Sequence, residues 1–335
     1  MKNKQNKIKI ICTLGPSSFK RKVLNNLIKE KVDMLRINLS HTKEEEIEKR
    51  IKQLKRVGIR NLCIDTEGSQ VRTRHVKQNI TLKKGQKVRV YNIESTCNKK
   101  EIFLYPDFLI NSVKIGTSIF IGFDDLRLRV VKKLKKKNCL ICKVEKSGIL
   151  GANKGVHFNQ KINLPSLTLK DIKALKIGKK LGIKNFALSF VNSSEDIKKV
   201  KKIIGNKNFV ISKIETYDAV KNLVSISKNS NALLIDRGDL SRYFPIENIP
   251  PVQEKILKIN NKLKKQTYVA TNLLETMIKD NKPTRAESHD VYATLKQGAK
   301  GLVLAAETAI GIDPVNCVKF LKKSIKIYKK NRYKI

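Results

Sequence analysis

The apolar run Phe209-Val210-Ile211-Ser212 delivers Lys213 and, two residues later, Glu215. A β-strand alternates faces with period two, so these two side chains share a side. A second run, Ala232-Leu233-Leu234-Ile235, ends in Asp236-Arg237-Gly238-Asp239. Carboxylates and one lysine at the ends of buried strands suit a divalent metal held beside a fixed cation. Such a pair of positive centres serves substrates with concentrated negative charge, above all phosphates.

These residues need strands to carry them. Near-continuous apolar runs at 7–13, 32–38, 60–65, 184–190, 208–213, 231–236, 266–271 and 300–306 alternate with amphipathic, lysine-rich segments. The segments near 18–30, 43–57, 168–181, 194–204, 216–228, 251–264, 284–298 and 314–330 read as helices. Pro251 suits a first helical turn, and Ser193-Ser194-Glu195-Asp196 sets a cap beside acids. Strands buried on both faces and alternating with helices imply a parallel sheet, and eight such units imply a TM (β/α)8 barrel. A doubly wound open sheet is the alternative, but no G-x-G-x-x-G turn supports it.

From about 70 to 155 the rhythm breaks into short β segments, among them Gln86–Tyr91 and Leu126–Val131. The expected organisation is therefore a barrel of residues 1–69 and 156–335, with a small all-β domain of residues 70–155 inserted after the third strand. Chemistry on a barrel sits where strands end. Those ends read Thr13, Arg36-Ile37-Asn38, Asp65-Thr66, Ser189, Lys213-Ile214-Glu215, Asp236 to Asp239, Thr271 and Glu307-Thr308. One polar strand end is a cap; seven or eight together form a site.

Composition sets the outer bounds. The 335 residues are 40% hydrophobic and 30% charged, which makes the chain globular rather than disordered. Its formal net charge is +43, a field that attracts polyanions. The lysines are spread along the chain, and aromatic content is only 6% without Trp, so stacking platforms for single strands are scarce and nucleic-acid binding is expected to be at most non-specific. Cys139-Leu140-Ile141-Cys142 is a lone C-x-x-C whose thiols a strand would send to opposite faces, a poor zinc site. With no signal peptide or membrane-length apolar run in the sequence, a cytoplasmic location is expected.

Read together, the motifs resemble those of pyruvate kinases. They are Ile11-Cys12-Thr13-Leu14-Gly15-Pro16-Ser17-Ser18, Arg36-Ile37-Asn38-Leu39-Ser40-His41, Asp65-Thr66-Glu67-Gly68 with Arg72-Thr73, and Lys154-Gly155-Val156. Ser189-Phe190, Ile211 to Glu215, Arg237-Gly238-Asp239-Leu240, Ala270-Thr271, Pro283 to Glu287 and Glu307-Thr308-Ala309 continue the series in family order. The resemblance implies a barrel with an inserted lid domain. It also implies a phosphotransferase moving a phosphoryl group from phosphoenolpyruvate to ADP, giving pyruvate and ATP.

Carried across by resemblance, Glu215 and Asp239 hold Mg²⁺ or Mn²⁺. Lys213 neutralises the phosphoryl group and enolate, Arg36 clamps phosphoryl oxygens, and Thr271 stands in a water-mediated proton route. Gly238, the Asp239 backbone and Ser189 join Lys213 and Thr271 at the substrate. Asn38, Ser40, Asp65 and Thr66 match a K⁺ site. Arg72, Lys154, His41 and Asn38 match nucleotide contacts, with Arg72 and Lys154 at the hinges of the lid.

The sequence also departs from the family. It ends at Ile335, after the eighth helix, so the family's C-terminal domain is absent from it; hyperbolic kinetics and a homodimer rather than a tetramer are the corresponding expectations. Asp124-Asp125 is followed by Leu126 rather than Gly. Glu67, Ser69 and Gln70 stand for Lys, Pro and Glu, which weakens the expected K⁺ dependence. Asp236 replaces a small residue, Ser241-Arg242-Tyr243 replaces a Gly-led segment, and Ala305-Ala306 replaces Ser-Gly. The expectation for Asp236 is that it points away and pairs with Arg237 or Arg242, so that Asp236→Ala changes little. Two alternatives stay open: a paralogue acting on a different phosphorylated enol substrate, and a non-catalytic basic binding protein on a kinase scaffold.

Overall fold

The computed structural model describes residues 7–91, 97–105, 110, 113–122, 125–135, 138–160, 162 and 164–332; Asp124 lies outside them. In chain order the strands are β1 (Lys9–Leu14), β2 (Met34–Asn38) and β3 (Leu62–Asp65), followed by β4 (Arg72–Thr73), β5 (Ile80–Leu82) and β6 (Lys87–Tyr91). Next come β7 (Glu101–Tyr105), β8 (Ser118–Ile121), β9 (Leu126–Leu134), β10 (Cys139–Lys146), β11 (Gly148–Leu150) and β12 (Val156–Phe158). The last are β13 (Asn185–Leu188), β14 (Phe209–Ile214), β15 (Ala232–Asp236), β16 (Gln266–Ala270) and β17 (Gly301–Leu304).

Two compact units result: Met1–Gly68 with Leu169–Ile335, and Ser69–Thr168. In the first, eight parallel strands close in the order β1-β17-β16-β15-β14-β13-β3-β2. The expected (β/α)8 barrel is present, each strand within a few residues of its predicted run. Helices follow the strands, and the segment 216–228 is two helices, Tyr217–Lys221 and Leu223–Asn229, rather than one. Pro250 and Pro251 occupy the first turn of Ile249–Lys262, where a missing N–H leaves no intrahelical bond unmade. Asp196 accepts the Ser193 amide at 2.9 Å at the start of Ser194–Ile204.

The barrel interior is packed by Ile11, Met34, Cys63, Ala187, Ile211, Ala232, Leu234, Tyr268, Ala270 and Val303. Every one lies on a barrel strand, and the period of two fixes what comes next on the same face. Thr13 follows Ile11, Arg36 follows Met34, Asp65 follows Cys63, Ser189 follows Ala187, Lys213 follows Ile211 and Asp236 follows Leu234. The packed interior thus aims one polar residue at the carboxyl end from each of six of the eight strands.

The second unit is a seven-stranded sheet, β12-β8-β9-β10-β6-β7-β4, with β5 and β11 paired separately. Its first strand is fastened to a later segment: the Val156 amide donates to the Val71 carbonyl at 2.7 Å and Thr73 N to Lys154 O at 2.9 Å. All six cysteines are free and buried. Cys142 packs in the apolar core of this unit, whereas the Cys139 thiol meets Tyr91. Among the described residues no helix is long and apolar enough to cross a membrane.

Candidate active site

Lys213 is the centre of the polar cluster at the carboxyl end of the barrel. Its ammonium lies 2.6 Å from Glu215 Oε1, 3.2 Å from Asp236 Oδ2 and 3.9 Å from Asp65 Oδ2, and donates to Ser189 Oγ at 3.1 Å. Burial by itself would lower the lysine's pKa; Asp65, Glu215 and Asp236 outweigh it and raise the pKa above its ordinary value. The amine is held charged.

Arg36 is fixed on two sides. Its Nε and Nη2 donate to Thr13 Oγ1 at 3.0 and 2.8 Å, and Nη1 meets Asp65 Oδ2 at 2.9 Å. Thr13 passes the contact on to the Leu304 carbonyl at 2.9 Å. The turn after β1 is close-packed, since a Cβ on Gly15 would stand 2.6 Å from the Ala309 carbonyl oxygen. Ser189 donates from Oγ to the Thr66 carbonyl at 2.7 Å, and its amide donates to Thr66 Oγ1 at 2.9 Å. Ser189 and Thr66 therefore steady Lys213.

Glu215, fully buried, takes the Phe190 amide on Oε2 at 2.5 Å. Burial raises its pKa; Lys213 opposes this, while Asp239 and Asp236 add to it. Glu215, Asp236 and Asp239 each offer a carboxylate oxygen within 4.8 Å of the others. Among the described residues no other three His, Cys, Asp or Glu side chains gather this way. Three hard oxygen donors with one lysine fit a divalent cation that keeps water or substrate oxygens as its other ligands.

Asp236 corrects one expectation. It does not point away to Arg237 or Arg242. Arg237 pairs with Asp290 at 2.8 Å, and Arg242 pairs with Asp239 at 3.3 Å. Asp236 turns into the cluster, with Oδ2 on Lys213 and Oδ1 accepting from Thr271 Oγ1 at 2.7 Å. Burial pushes its pKa up, but Lys213, the Thr271 hydroxyl and Arg36 outweigh burial and lower it. The signal was present in the sequence: Asp236 shares a strand face with Ala232 and Leu234, the barrel interior.

Thr271 sits just past β16 with φ +78°, a conformation a β-branched residue avoids. Its carbonyl is gripped by Arg237 Nε at 3.0 Å and Nη2 at 2.6 Å. Gly238 lies in the four-residue helix Arg237–Leu240, and a Cβ there would come 2.9 Å from Thr271 Cγ2. Glycine thus allows the helix to lie against Thr271. The Arg237–Asp290–Thr271 arrangement was not foreseen, because nothing in sequence spacing links residues 237 and 290.

Of the remaining candidates, Asn38 Oδ1 accepts the Ser40 amide at 2.9 Å, and His41 is exposed. Asp65 Oδ1 is buried without a protein hydrogen-bond partner, an oxygen suited to a monovalent cation. Glu67 is taken up structurally: Lys170 contacts it at 2.9 Å, while the Glu67 and Gly68 amides donate to Asp171. Arg72 and Lys154 lie in the second unit on adjoining segments; Arg72 reaches the Asn153 carbonyl at 3.4 Å, and the Lys154 amide donates to Thr73 Oγ1. Glu307, buried, takes the amides of Leu274 and Ala305. It ties the loops after β16 and β17 together rather than facing a substrate.

Comparison with known proteins agrees with this geometry. Residues 5–318 match the family model described as pyruvate kinase, barrel domain. The chain is 32% identical over 326 residues to a pyruvate kinase of Staphylococcus epidermidis, covering 94% of this chain and 56% of that protein. It is 33% identical over 329 residues to one from Staphylococcus haemolyticus and 31% over 328 to one from Staphylococcus aureus, with the same two coverages. The chain thus spans a little over half the length of these curated relatives. A closed barrel, a lysine–carboxylate cluster at its carboxyl end, and a match across nearly the whole sequence lead to one assignment: the chain belongs to the pyruvate kinase family.

Proposed function

We propose that the protein transfers the phosphoryl group of phosphoenolpyruvate to ADP, giving pyruvate and ATP. The observation that carries this reading is the contact of buried Lys213 with Glu215 at 2.6 Å, next to Asp239, the second candidate metal ligand. Glu215 and Asp239 would hold Mg²⁺ or Mn²⁺, which when bound polarises phosphoryl oxygens and offsets their charge. Asp65, with Asn38, Ser40 and Thr66, would take K⁺.

The chain's own groups then divide the work. An oxygen of the ADP β-phosphate attacks phosphorus as the bond to the enol oxygen breaks. Lys213 offsets the charge on the transferring group and on the enolate left behind. Arg36, oriented by Thr13 and Asp65, presents a planar fork to the phosphoryl oxygens. The enolate carbon gains a proton to become the methyl group of pyruvate, with Thr271 beside the proton's route. Gly238 and Asp239 offer first-turn amides, which have no intrahelical partners, to the substrate. Arg72 and Lys154 would contact nucleotide phosphates.

A coupled assay with phosphoenolpyruvate, ADP, Mg²⁺ and K⁺ tests the reading. ATP formation that depends on the divalent metal supports it. No ATP at saturating substrates refutes it and returns the choice to a different phosphorylated enol or to a binding protein.

A further inference from the structure

Asp236 occupies a position whose consequences reach beyond the reaction itself. Its Oδ2 stands 3.2 Å from the Lys213 ammonium and its Oδ1 holds the Thr271 hydroxyl at 2.7 Å. Its ligand oxygen lies within 4.8 Å of those of Glu215 and Asp239. An anionic group neutralised by Lys213, and by a cation between Glu215 and Asp239, therefore comes into the immediate neighbourhood of Asp236.

The charges of the cluster give the direction of the effect. Arg36, Lys213 and Arg242 are the cations in ion-pair contact with Asp65, Glu215, Asp236 and Asp239. Three formal positive charges face four negative ones. A divalent cation would leave the cluster with a net charge of +1; without Asp236 it would be +2. Like charges a few ångströms apart in a buried site disfavour each other strongly. Asp236 also engages Lys213 before any substrate arrives, so an incoming anion must displace it or share the lysine.

We propose that Asp236 acts as an internal competitor with the substrate's anionic groups for Lys213, holding Lys213 and Thr271 before substrate arrives and weakening the binding of phosphoenolpyruvate. This inference rests on the phosphoenolpyruvate reading above. The charge is not needed to hold the fold around Lys213, because Glu215, Asp65 and Ser189 still surround the amine when Asp236 is neutral. It follows that removing the charge improves substrate binding while leaving the bond-breaking step with its lysine in place.

The test compares the full chain with Asp236→Asn, which keeps the shape and an acceptor for Thr271, and with Asp236→Ala. The expected result is a Michaelis constant for phosphoenolpyruvate at least about tenfold lower in Asp236→Asn, about 1.4 kcal/mol. A residue that only supports the structure would raise the Michaelis constant; that outcome in Asp236→Asn overturns the proposal, as does an unchanged Michaelis constant. Calorimetric titration of phosphoenolpyruvate in Mg²⁺ separates this inference from the reading beneath it. If no variant makes ATP, the kinase reading has failed, and the titration decides alone. Tighter binding by Asp236→Asn than by the wild type supports the competitor role, while equal, weaker or undetectable binding overturns it.

Discussion

Arg237 grips the carbonyl oxygen of Thr271 with two N–H groups, at 3.0 and 2.6 Å, while its other terminal nitrogen is anchored on Asp290. Thr271 has φ +78°, so its backbone is held where a threonine does not settle by itself. A lysine has no planar fork and cannot make both contacts. Arg237→Lys is expected to lower kcat about tenfold while the Michaelis constant for phosphoenolpyruvate stays within about threefold, because in the proposed reaction the threonine acts after binding. Steady-state kinetics check this, and equal effects on both constants would count against a positioning role.

Glu215→Gln and Asp239→Asn keep side-chain size and remove one carboxylate charge each. Loss of a single preorganised electrostatic stabiliser lowers turnover by about 100-fold or more. Metal titrations of the variants should show weaker activation by Mg²⁺ as well. A variant that retains the full rate would remove that carboxylate from the metal assignment.

The helix Arg285–Lys296 begins with a reciprocal cap in which Thr284 and Glu287 each serve the other's amide. Burial disfavours the charged Glu287, but the Thr276 and Thr284 donors outweigh it and lower its pKa. A carboxylate of lowered pKa stabilises the fold above its unfolded pKa, and that contribution is lost as pH falls through the folded value. Glu287→Gln should therefore cost about 1 kcal/mol at neutral pH, and the difference from wild type should shrink as pH falls through the lowered folded value. Urea melts across an acidic pH series measure it.

Gly15 has no room for a side chain: the nearest obstacle is backbone, the Ala309 carbonyl at 2.6 Å. Gly15→Ala must push the β1 turn off the short helix Ala306–Ala309, at an expected cost of about 1–3 kcal/mol. Because Thr308 donates to the Thr13 carbonyl at 2.9 Å and Thr13 holds Arg36, activity should fall along with stability in paired melting and rate measurements.

The barrel was legible because apolar strands and amphipathic helices alternate without ambiguity. The same periodicity makes Lys213, Glu215, Asp65 and Ser189 legible, each two residues or four beyond an interior position. Asp236 obeyed that rule too. The expectation that it pairs with Arg237 or Arg242 gave weight to charge adjacency in sequence over the alternation of the strand, and both arginines are taken by other acids. Some features carry no local signature. The acceptance of the Glu67 and Gly68 amides by Asp171, and the reach of Arg237 to Asp290, join segments that only the closed barrel brings together. The split of the helix at Asn222 was likewise hidden, since both halves keep the same apolar face.

The bond from Val156 to Val71 also bears on how the chain assembles itself. Strands β3 and β13 are neighbours in the barrel but are separated in the chain by the whole of the second unit. Joining two strands across so long a flexible stretch carries an entropic penalty that grows with the length of the stretch. Once the insertion has folded, Val71 and Val156 are stitched together, and only residues 66–70 and the segment 157–184, which carries the helix Leu169–Lys180, remain to be ordered. The insertion then works as a clasp in folding: it forms from its own strand pairings, shortens the path between Asp65 and Asn185, and lets the second half of the barrel dock on the first. Loss of that stitch would slow barrel closure and prolong the life of open sheet edges, a hazard for aggregation during synthesis.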